Sequence, residues 1–118
     1  MKIDLEPFLP LSLAAQHILL ALSAEDLHGY GIMQEVARQS DCKYKLGSGT
    51  FYDNLQKLLD QGLVTEVPHP STKDDPRRRY YRMTTFGRQV FSAEVKRLEG
   101  VVREARLRLR GAKPKRAL

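Results

Sequence analysis

The order of elements between residues 46 and 87 constrains the fold of this chain more than any other feature. An amphipathic helical pattern ends at Gly62, and a short apolar strand, a proline-containing polar loop and a second strand follow it. A Thr-x-x-Gly step then leads into another helix. This order predicts a helix that packs against a two-stranded wing with arginines at its base. Such a unit can place one helix in a groove of DNA and a cationic loop over the adjacent phosphates.

The length of 118 residues predicts one domain with an added helix. Because a chain of this size buries a modest share of its surface when it folds alone, dimerisation is expected to aid stability. No apolar run reaches the roughly 18 residues that a membrane span needs, so no membrane partner is expected. The N-terminus lacks the basic stretch and apolar run of a signal peptide, and the single cysteine, Cys42, permits no internal disulfide. These features predict a cytoplasmic protein.

The net charge of +6 is carried by the end of the chain. Residues 103–118 contain seven basic residues and one acid, whereas residues 1–102 contain thirteen of each sign. The pI of 9.7 therefore reflects the tail and argues only weakly for DNA binding. The local density of positive charge is stronger evidence for DNA binding, because four arginines occur within residues 77–82.

Two helices are predicted before the wing unit. The first follows Ser12, a suitable N-cap, and residues 13–22 are almost wholly apolar. Such a helix should be buried on nearly every side, against its own domain and against a partner. Residues 23–28 form a polar turn, and a second helix runs from about residue 29 to residue 40. Alternation over residues 43–46 indicates a short strand.

The third helix, from about residue 48 to residue 61, is the predicted DNA-reading helix. Phe51, Leu55 and Leu58 form its buried face, and Gly62 suits the left-handed residue that ends it. The residues expected to contact DNA are Ser48, Gly49, Thr50, Tyr52, Asp53, Gln56 and Lys57. Backbone amides at the N-terminus can hold a phosphate oxygen, Gln and Asp can pair with adenine and cytosine edges, and Lys suits a phosphate. The alternative is an ordinary amphipathic helix, which the adjacent wing disfavours.

The predicted wing is a hairpin with a cationic base. Its strands are predicted at 63–67 and 77–83, and its loop at 68–76. Tyr81 and Met83 should face inward from the second strand. The arginines expected to contact phosphates or enter the minor groove are Arg77, Arg78 and Arg79. The alternative is a solvated cationic hairpin in which Asp74 and Asp75 are the local partners of these arginines.

The last helix, from about Thr85 to Arg110 after a Thr84 cap, has the most regular apolar period in the sequence. Its seam follows a heptad spacing and consists of Phe91, Val95, Leu98, Val102, Ala105 and Leu109. Nothing later in the chain can cover this seam, so a second copy is expected to do so. Leu13 and Ile18 of the first helix are the other residues predicted to contribute to dimerisation.

These patterns predict an α+β, mostly α, fold. The expected parts are a winged helix-turn-helix DNA-binding domain at 1–84, a C-terminal dimerisation helix at 85–110 and a basic disordered tail at 111–118. The tail could add non-specific affinity for DNA, but a solvated terminus is the preferred interpretation.

No catalytic residue, metal site or cofactor is expected. His28 opens the second helix and is interpreted as a cap or core hydrogen-bonding residue. The sequence shows no His/Cys/Asp cluster with metal-ligand spacing, no nucleophile–base grouping and no glycine-rich phosphate loop. A regulatory or binding protein is therefore expected rather than an enzyme.

Three motifs in register resemble the PadR family of bacterial winged-helix transcriptional regulators. They are His28-Gly29-Tyr30-x-Ile32, then Gly49-Thr50-Phe51-Tyr52-x-x-Leu55-x-x-Leu58 with Gly62-Leu63, and finally Arg78-Arg79-Tyr80-Tyr81-Arg82-Met83-Thr84-x-x-Gly87. The single final helix is similar to the shorter branch of the family. The resemblance covers about residues 11 to 90.

The resemblance implies a homodimer that binds a two-fold DNA operator, usually to repress, and is released by a small hydrophobic or aromatic effector. It assigns the reading role to Ser48, Thr50, Tyr52 and Lys57 and the wing role to Arg77–Arg79. Similar drug-responsive regulators carry aromatic side chains in the last helix near the dimer centre. The corresponding region here holds Val95 and Leu98, so the pocket is either differently lined or absent. The alternative function is a ligand-sensing or protein-interaction module without specific DNA binding.

Overall fold

The computed structural model describes residues 3–69 and 75–116. A 3₁₀ turn at Glu6–Phe8 precedes the regular elements. These are α1 (Leu13–Ala21), β1 (Leu27–His28), α2 (Gly29–Gln39), α3 (Ser48–Asp60), β2 (Val64–Val67), β3 (Tyr80–Met83) and α4 (Thr85–Leu109). The predicted α+β, mostly α, winged-helix class is confirmed.

Side-chain caps fix the starts of α1 and α4. The Ser12 Oγ accepts a hydrogen bond from the Ala15 amide at 3.1 Å and so begins α1. The Thr84 Oγ accepts from the Gly87 amide at 2.8 Å and begins α4. Each bond satisfies one of the amide groups that a helix leaves unpaired in its first turn. Both caps were predicted from the sequence.

The core lies where α1, α2 and α3 meet the sheet and the start of α4. Its fully buried side chains include Leu19, Ile32, Phe51 and Val90. Ile18 also lies here with 0% of its surface exposed. Its predicted place in a dimer contact therefore needs correction: Ile18 packs within its own chain, because the inner face of α1 is covered by α2 and α3.

The three strands are antiparallel in the order β1–β3–β2, with Val64 opposite Met83 and Glu66 opposite Tyr81. Tyr81 and Met83 are buried, as predicted. The arginines 77–79 were predicted to open β3, but they precede it, because the ladder with β2 ends at the Val67–Tyr80 pair.

The predicted strand at 43–46 was wrong, and β1 lies instead at the end of the segment interpreted as a polar turn. Asp41 and Cys42 have φ angles of 52° and 61°, which reverse the chain directly after α2. The Ser40 hydroxyl then holds this turn by accepting from the Tyr44 amide at 3.1 Å. The edge of β3 is occupied by Leu27–His28, so residues 43–46 have no strand to pair with.

Helix α4 packs on the domain only through its first half. Its buried residues are Gly87, Val90 and Glu94, and every described residue from 101 onward is exposed. Residues 112–116 form no helix or strand, and residues 117–118 of the predicted tail lie outside the described part. Within the described ranges, no helix has the length and apolar character required to cross a bilayer.

Candidate nucleic-acid interface

Helix α3 separates an apolar face from a polar one. Phe51, Leu55 and Leu58 are at most 2% exposed and anchor the helix in the core, as predicted. All seven residues predicted to contact DNA are exposed, namely Ser48, Gly49, Thr50, Tyr52, Asp53, Gln56 and Lys57. The helix therefore presents one continuous exposed face to solvent.

The N-terminus of α3 is open to a ligand. Its N-cap is Gly47, which supplies no side-chain acceptor for the first-turn amides. Gly49 faces open space, since a Cβ built there would meet nothing within 4 Å. The positive end of the helix dipole is thus accessible to an anionic group such as a phosphate.

Two polar side chains on the exposed face are held by the helix itself. The Gln56 Nε2 donates to the Asp60 Oδ1 at 2.8 Å, and the Asn54 Nδ2 donates to the Thr50 carbonyl at 2.8 Å. Lys57 and Asp53 form no ion pair with residues in the described ranges. Lys57 is exposed and can therefore contact an outside anion.

The structure brings α3 and the arginines 77–79 to one surface. Tyr52 and Gln56 of α3 border a cleft of about 540 Å³ that residues 77–79 also line. Gly29 leaves room for this arrangement, because a Cβ there would lie 2.8 Å from the Tyr52 hydroxyl. Tyr30 was not among the residues predicted to contact DNA, but it is 60% exposed and borders the same cleft.

The three arginines are exposed and have different neighbours. The Arg77 Nε lies 3.2 Å from the Asp75 Oδ1, which confirms one of the two predicted local partners. The other predicted partner, Asp74, lies outside the described residues. The Arg79 Nε lies 3.9 Å from the Glu66 Oε1 across the hairpin. Because these pairs are at the surface, they reduce the positive charge of the wing only in part.

Contacts at the base of the wing hold the hairpin to the body. The Arg78 Nη1 lies 3.4 Å from the His28 Nε2, while the His28 Nδ1 caps α2 by accepting from the Gly31 amide at 3.0 Å. Arg82 forms two hydrogen bonds with the Asp26 carboxylate at 2.9 and 2.7 Å. The hydrogen bond from Arg82 lowers the pKa of Asp26, so this ion pair persists at neutral pH.

The floor of the cleft includes Tyr81. Burial, followed by the negative charge of Glu66, raises the pKa of the Tyr81 hydroxyl above its usual value. The hydroxyl is therefore neutral at physiological pH and can serve as a hydrogen-bond donor.

The predicted dimerisation residues differ in exposure. Leu13, Val95 and Val102 are 54%, 38% and 46% exposed, and Leu109 is 88% exposed. Leu98 is half-buried and Ala105 is exposed. Phe91 is half-buried because it packs against the core of its own chain. Val95, Leu98 and Val102 of the seam line an apolar groove of about 560 Å³ on α4, whereas Ala105 borders a separate groove on the same helix.

Comparison with known proteins gives the fold and the family. The family of PadR-like transcriptional regulators matches residues 18–93. An uncharacterised protein from Lysinibacillus sphaericus is 30% identical over 79 residues, which cover 67% of this chain and 72% of that protein.

Several solved structures are also similar. A transcriptional regulator from Clostridium thermocellum has a TM-score of 0.67 at 20% identity, covering 89% of this chain and 96% of its own. RosR from H. salinarum has a TM-score of 0.60 at 27% identity over 82% of this chain and 79% of its own. Bacillus subtilis PadR, solved in complex with operator DNA, has a TM-score of 0.60 at 24% identity over 73% of this chain and 48% of its own. The chain therefore belongs to the PadR-like family of transcriptional regulators and has a winged-helix fold.

Proposed function

We propose that this regulator is a homodimeric repressor that binds a double-stranded DNA operator through α3 and the wing. The observation that carries the proposal is the shared cleft, which places the exposed side chains of α3 beside three arginines. A helix of this kind fits the major groove while a cationic wing contacts the flanking phosphates. The complex of Bacillus subtilis PadR with operator DNA supports DNA as the partner.

In this proposal the two parts of the surface have different tasks. Tyr52, Asp53 and Gln56 read base edges, and the amides at Ser48–Thr50 bind a phosphate. Lys57 and the wing arginines neutralise further phosphates and position the protein without reading sequence.

The proposed dimer joins two copies through α1 and α4. Leu13 is exposed on α1, and the groove on α4 is lined by Val95, Leu98, Val102 and Leu107. An apolar seam of this length is covered most simply by the same seam of a second copy. A small hydrophobic or aromatic effector would enter at the dimer centre and release the operator by changing the separation of the two α3 helices.

Replacing Arg77, Arg78 and Arg79 together by alanine should weaken binding to the DNA upstream of the protein's own gene. Three lost phosphate contacts should reduce the slope of log affinity against log salt by about 3. Binding to unrelated DNA should weaken in parallel, because phosphate contacts carry no sequence information. Fluorescence anisotropy across a salt series measures both quantities.

The charge-matched control replaces Lys113, Lys115 and Arg116 by alanine. This variant also loses three positive charges, but from the solvated tail, and should leave the slope nearly unchanged. If both variants reduced the affinity and the salt slope equally, the overall charge of the protein, and not the wing, would account for the effect. An unchanged affinity and slope in the wing variant would remove the wing from the interface, and absence of any DNA binding by the native chain would favour a sensing or protein-interaction module.

Val102→Asp should separate the dimer and abolish operator binding. Two carboxylates facing each other in an apolar seam lack partners, so the dimer dissociation constant should rise at least about 100-fold. Sedimentation equilibrium at micromolar concentration measures this change.

Val101→Asp is the matched control, since Val101 is 55% exposed and Val102 is 46% exposed, but Val102 borders the groove with Val95 and Leu98 whereas Val101 borders a separate groove of α4. Val101→Asp should remain dimeric. A native protein that sediments as a monomer would refute the proposed dimer, and equal dissociation of the two variants would refute the heptad seam.

A further inference from the structure

The strongest unexplained feature of this chain is the buried carboxylate of Glu94. Its side chain is 0% exposed, and Glu94 is the only charged residue that is buried among the described residues. Buried charges are costly and are retained only with several hydrogen-bond partners. Neither the DNA surface nor the apolar seam uses this group.

Glu94 joins three separate segments of the chain. Its Oε2 accepts from the Leu11 amide at 2.6 Å and lies 3.4 Å from the Gln16 Nε2 on α1. Its Oε1 accepts from the Nε of Arg97, one turn later on α4. The carboxylate therefore ties α4 both to α1 and to the segment before α1.

That segment, residues 3–11, is named here the N-terminal strap. Phe8 packs edge-to-face on Phe86 at the start of α4, with ring centroids 5.2 Å apart. Ile3 and Leu5 line a depression beside the first half of α4, and Leu11 ends the strap at Glu94. The strap thus contacts α4 from its first turn to Glu94.

Helix α4 continues well beyond its contacts with the strap and Glu94, so a small change in its angle at Glu94 is amplified at its C-terminal end. Fifteen residues separate Glu94 from Leu109 at the end of α4, which corresponds to about 22 Å of helix. A tilt of about 10° at Glu94 would displace that end by about 4 Å, by the same helix geometry. In a two-fold dimer, each copy contributes such a displacement to the separation of the two reading helices.

We propose that Glu94 and the N-terminal strap are positioning elements that set the angle of α4 and thereby the separation of the two α3 helices in the dimer. The inference rests on the proposed homodimer and its DNA-binding role. The strap and Glu94 both lie outside residues 18–93, the segment that matches the PadR-like family.

The experiment uses Cys42, the single cysteine of the chain, which is exposed in the connection between α2 and α3. A nitroxide on Cys42 places one label on each copy, and pulsed electron paramagnetic resonance measures the distance between them. In the native dimer we expect one narrow distance distribution. In Glu94→Gln we expect a broadened distribution and an operator affinity lowered at least about tenfold, because fewer molecules hold the competent separation.

Glu35→Gln is the matched control. Glu35 also pairs with an arginine three residues later, but at the surface of α2. The Glu35→Gln variant should leave the distance between the two labels and the operator affinity unchanged. Phe8→Ala is the second variant of the strap, and it should also broaden the distribution, so that the proposal stays testable if Glu94→Gln does not fold.

The possible outcomes separate the two proposals. Absence of any distance between labels in the native protein would refute the dimer, and this inference with it. A native distance that stays unchanged in a folded Glu94→Gln dimer would overturn only the positioning role, even if that variant melts at a lower temperature. If Glu94→Gln does not fold, an unchanged distribution in Phe8→Ala would overturn it equally.

Discussion

Gly87→Ala is expected to destabilise the folded protein by at least about 3 kcal/mol. A Cβ at this position would lie 2.0 Å from the carbonyl oxygen of Leu63 and 3.0 Å from the Met83 Cγ. The main obstacle is backbone, so it cannot move away as a flexible side chain could. The Leu63 carbonyl also accepts a hydrogen bond from the Thr84 amide at 3.1 Å, and moving it would disturb the cap of α4.

Gly100→Ala is the matched control, because it makes the same substitution in the same helix. A Cβ at Gly100 would meet nothing within 4 Å. Alanine should therefore stabilise this exposed helical position by about 1 kcal/mol. Urea unfolding of both variants at one protein concentration measures the two effects. Similar stabilities for Gly87→Ala and the native protein would show that α4 does not pack closely against the chain before β2.

The sequence allowed α3 and the elements that follow it to be predicted closely, since each has a local signal. Phe51, Leu55 and Leu58 repeat at helical spacing, and Gly62 has a φ of 75°, as the end of such a helix requires. The Tyr81–Met83 alternation likewise determines which side of β3 is buried. These features depend on residues that are close together in the chain, so they can be predicted from a single sequence.

Strand β1 could not be predicted in this way. Leu27 and His28 form a two-residue strand only because the edge of β3 lies beside them, at Tyr81 and Tyr80. Two residues carry no periodic signal, whereas residues 43–46 alternate without having any strand to join. Whether residues 27–28 and residues 43–46 form strands depends on pairing with residues that are distant in the sequence. Local strand propensity does not predict such pairing.

The composition of the candidate site was predicted, but its shape was not. Spacing identified Tyr52, Gln56 and the arginines 77–79 as exposed polar residues near a helix and a hairpin. Their common cleft depends on how the hairpin packs against α3, and on the absence of a side chain at Gly29. Glu94 was missed because a glutamate between seam positions is usually solvated. Its burial requires residues 11 and 16, which are distant in the sequence.

Glu94→Gln should lower the free energy of unfolding by about 3 kcal/mol at pH 7. The carboxylate receives hydrogen bonds from Leu11, Gln16 and Arg97, and all three groups are donors. A glutamine amide offers one acceptor oxygen and brings two further N–H groups into this site. At least one donor then loses its partner in a buried position.

The difference in free energy of unfolding between the native protein and Glu94→Gln should depend on pH. Burial alone would raise the pKa of the Glu94 carboxyl, but the hydrogen bonds from Arg97, Leu11 and Gln16 outweigh it and hold the pKa below its usual value of 4.5. A depressed pKa in the folded state contributes stability that is complete above the unfolded pKa and is lost as pH falls through the folded pKa. The advantage of native protein over Glu94→Gln should therefore be full at pH 7 and decrease below about pH 4.5.

Urea unfolding of both proteins between pH 7 and pH 3 measures this decrease, because contributions from the other carboxyl groups cancel in the difference. Glu35→Gln, which changes an exposed pair, should differ from the native protein by less than about 1 kcal/mol at every pH. If the difference in free energy of unfolding between the native protein and Glu94→Gln stayed constant to pH 3, the charge of the carboxylate would not be the source of that difference. Packing of the Glu94 side chain would then account for the stability, and the hydrogen bonds that join α4 to α1 and the strap would contribute little.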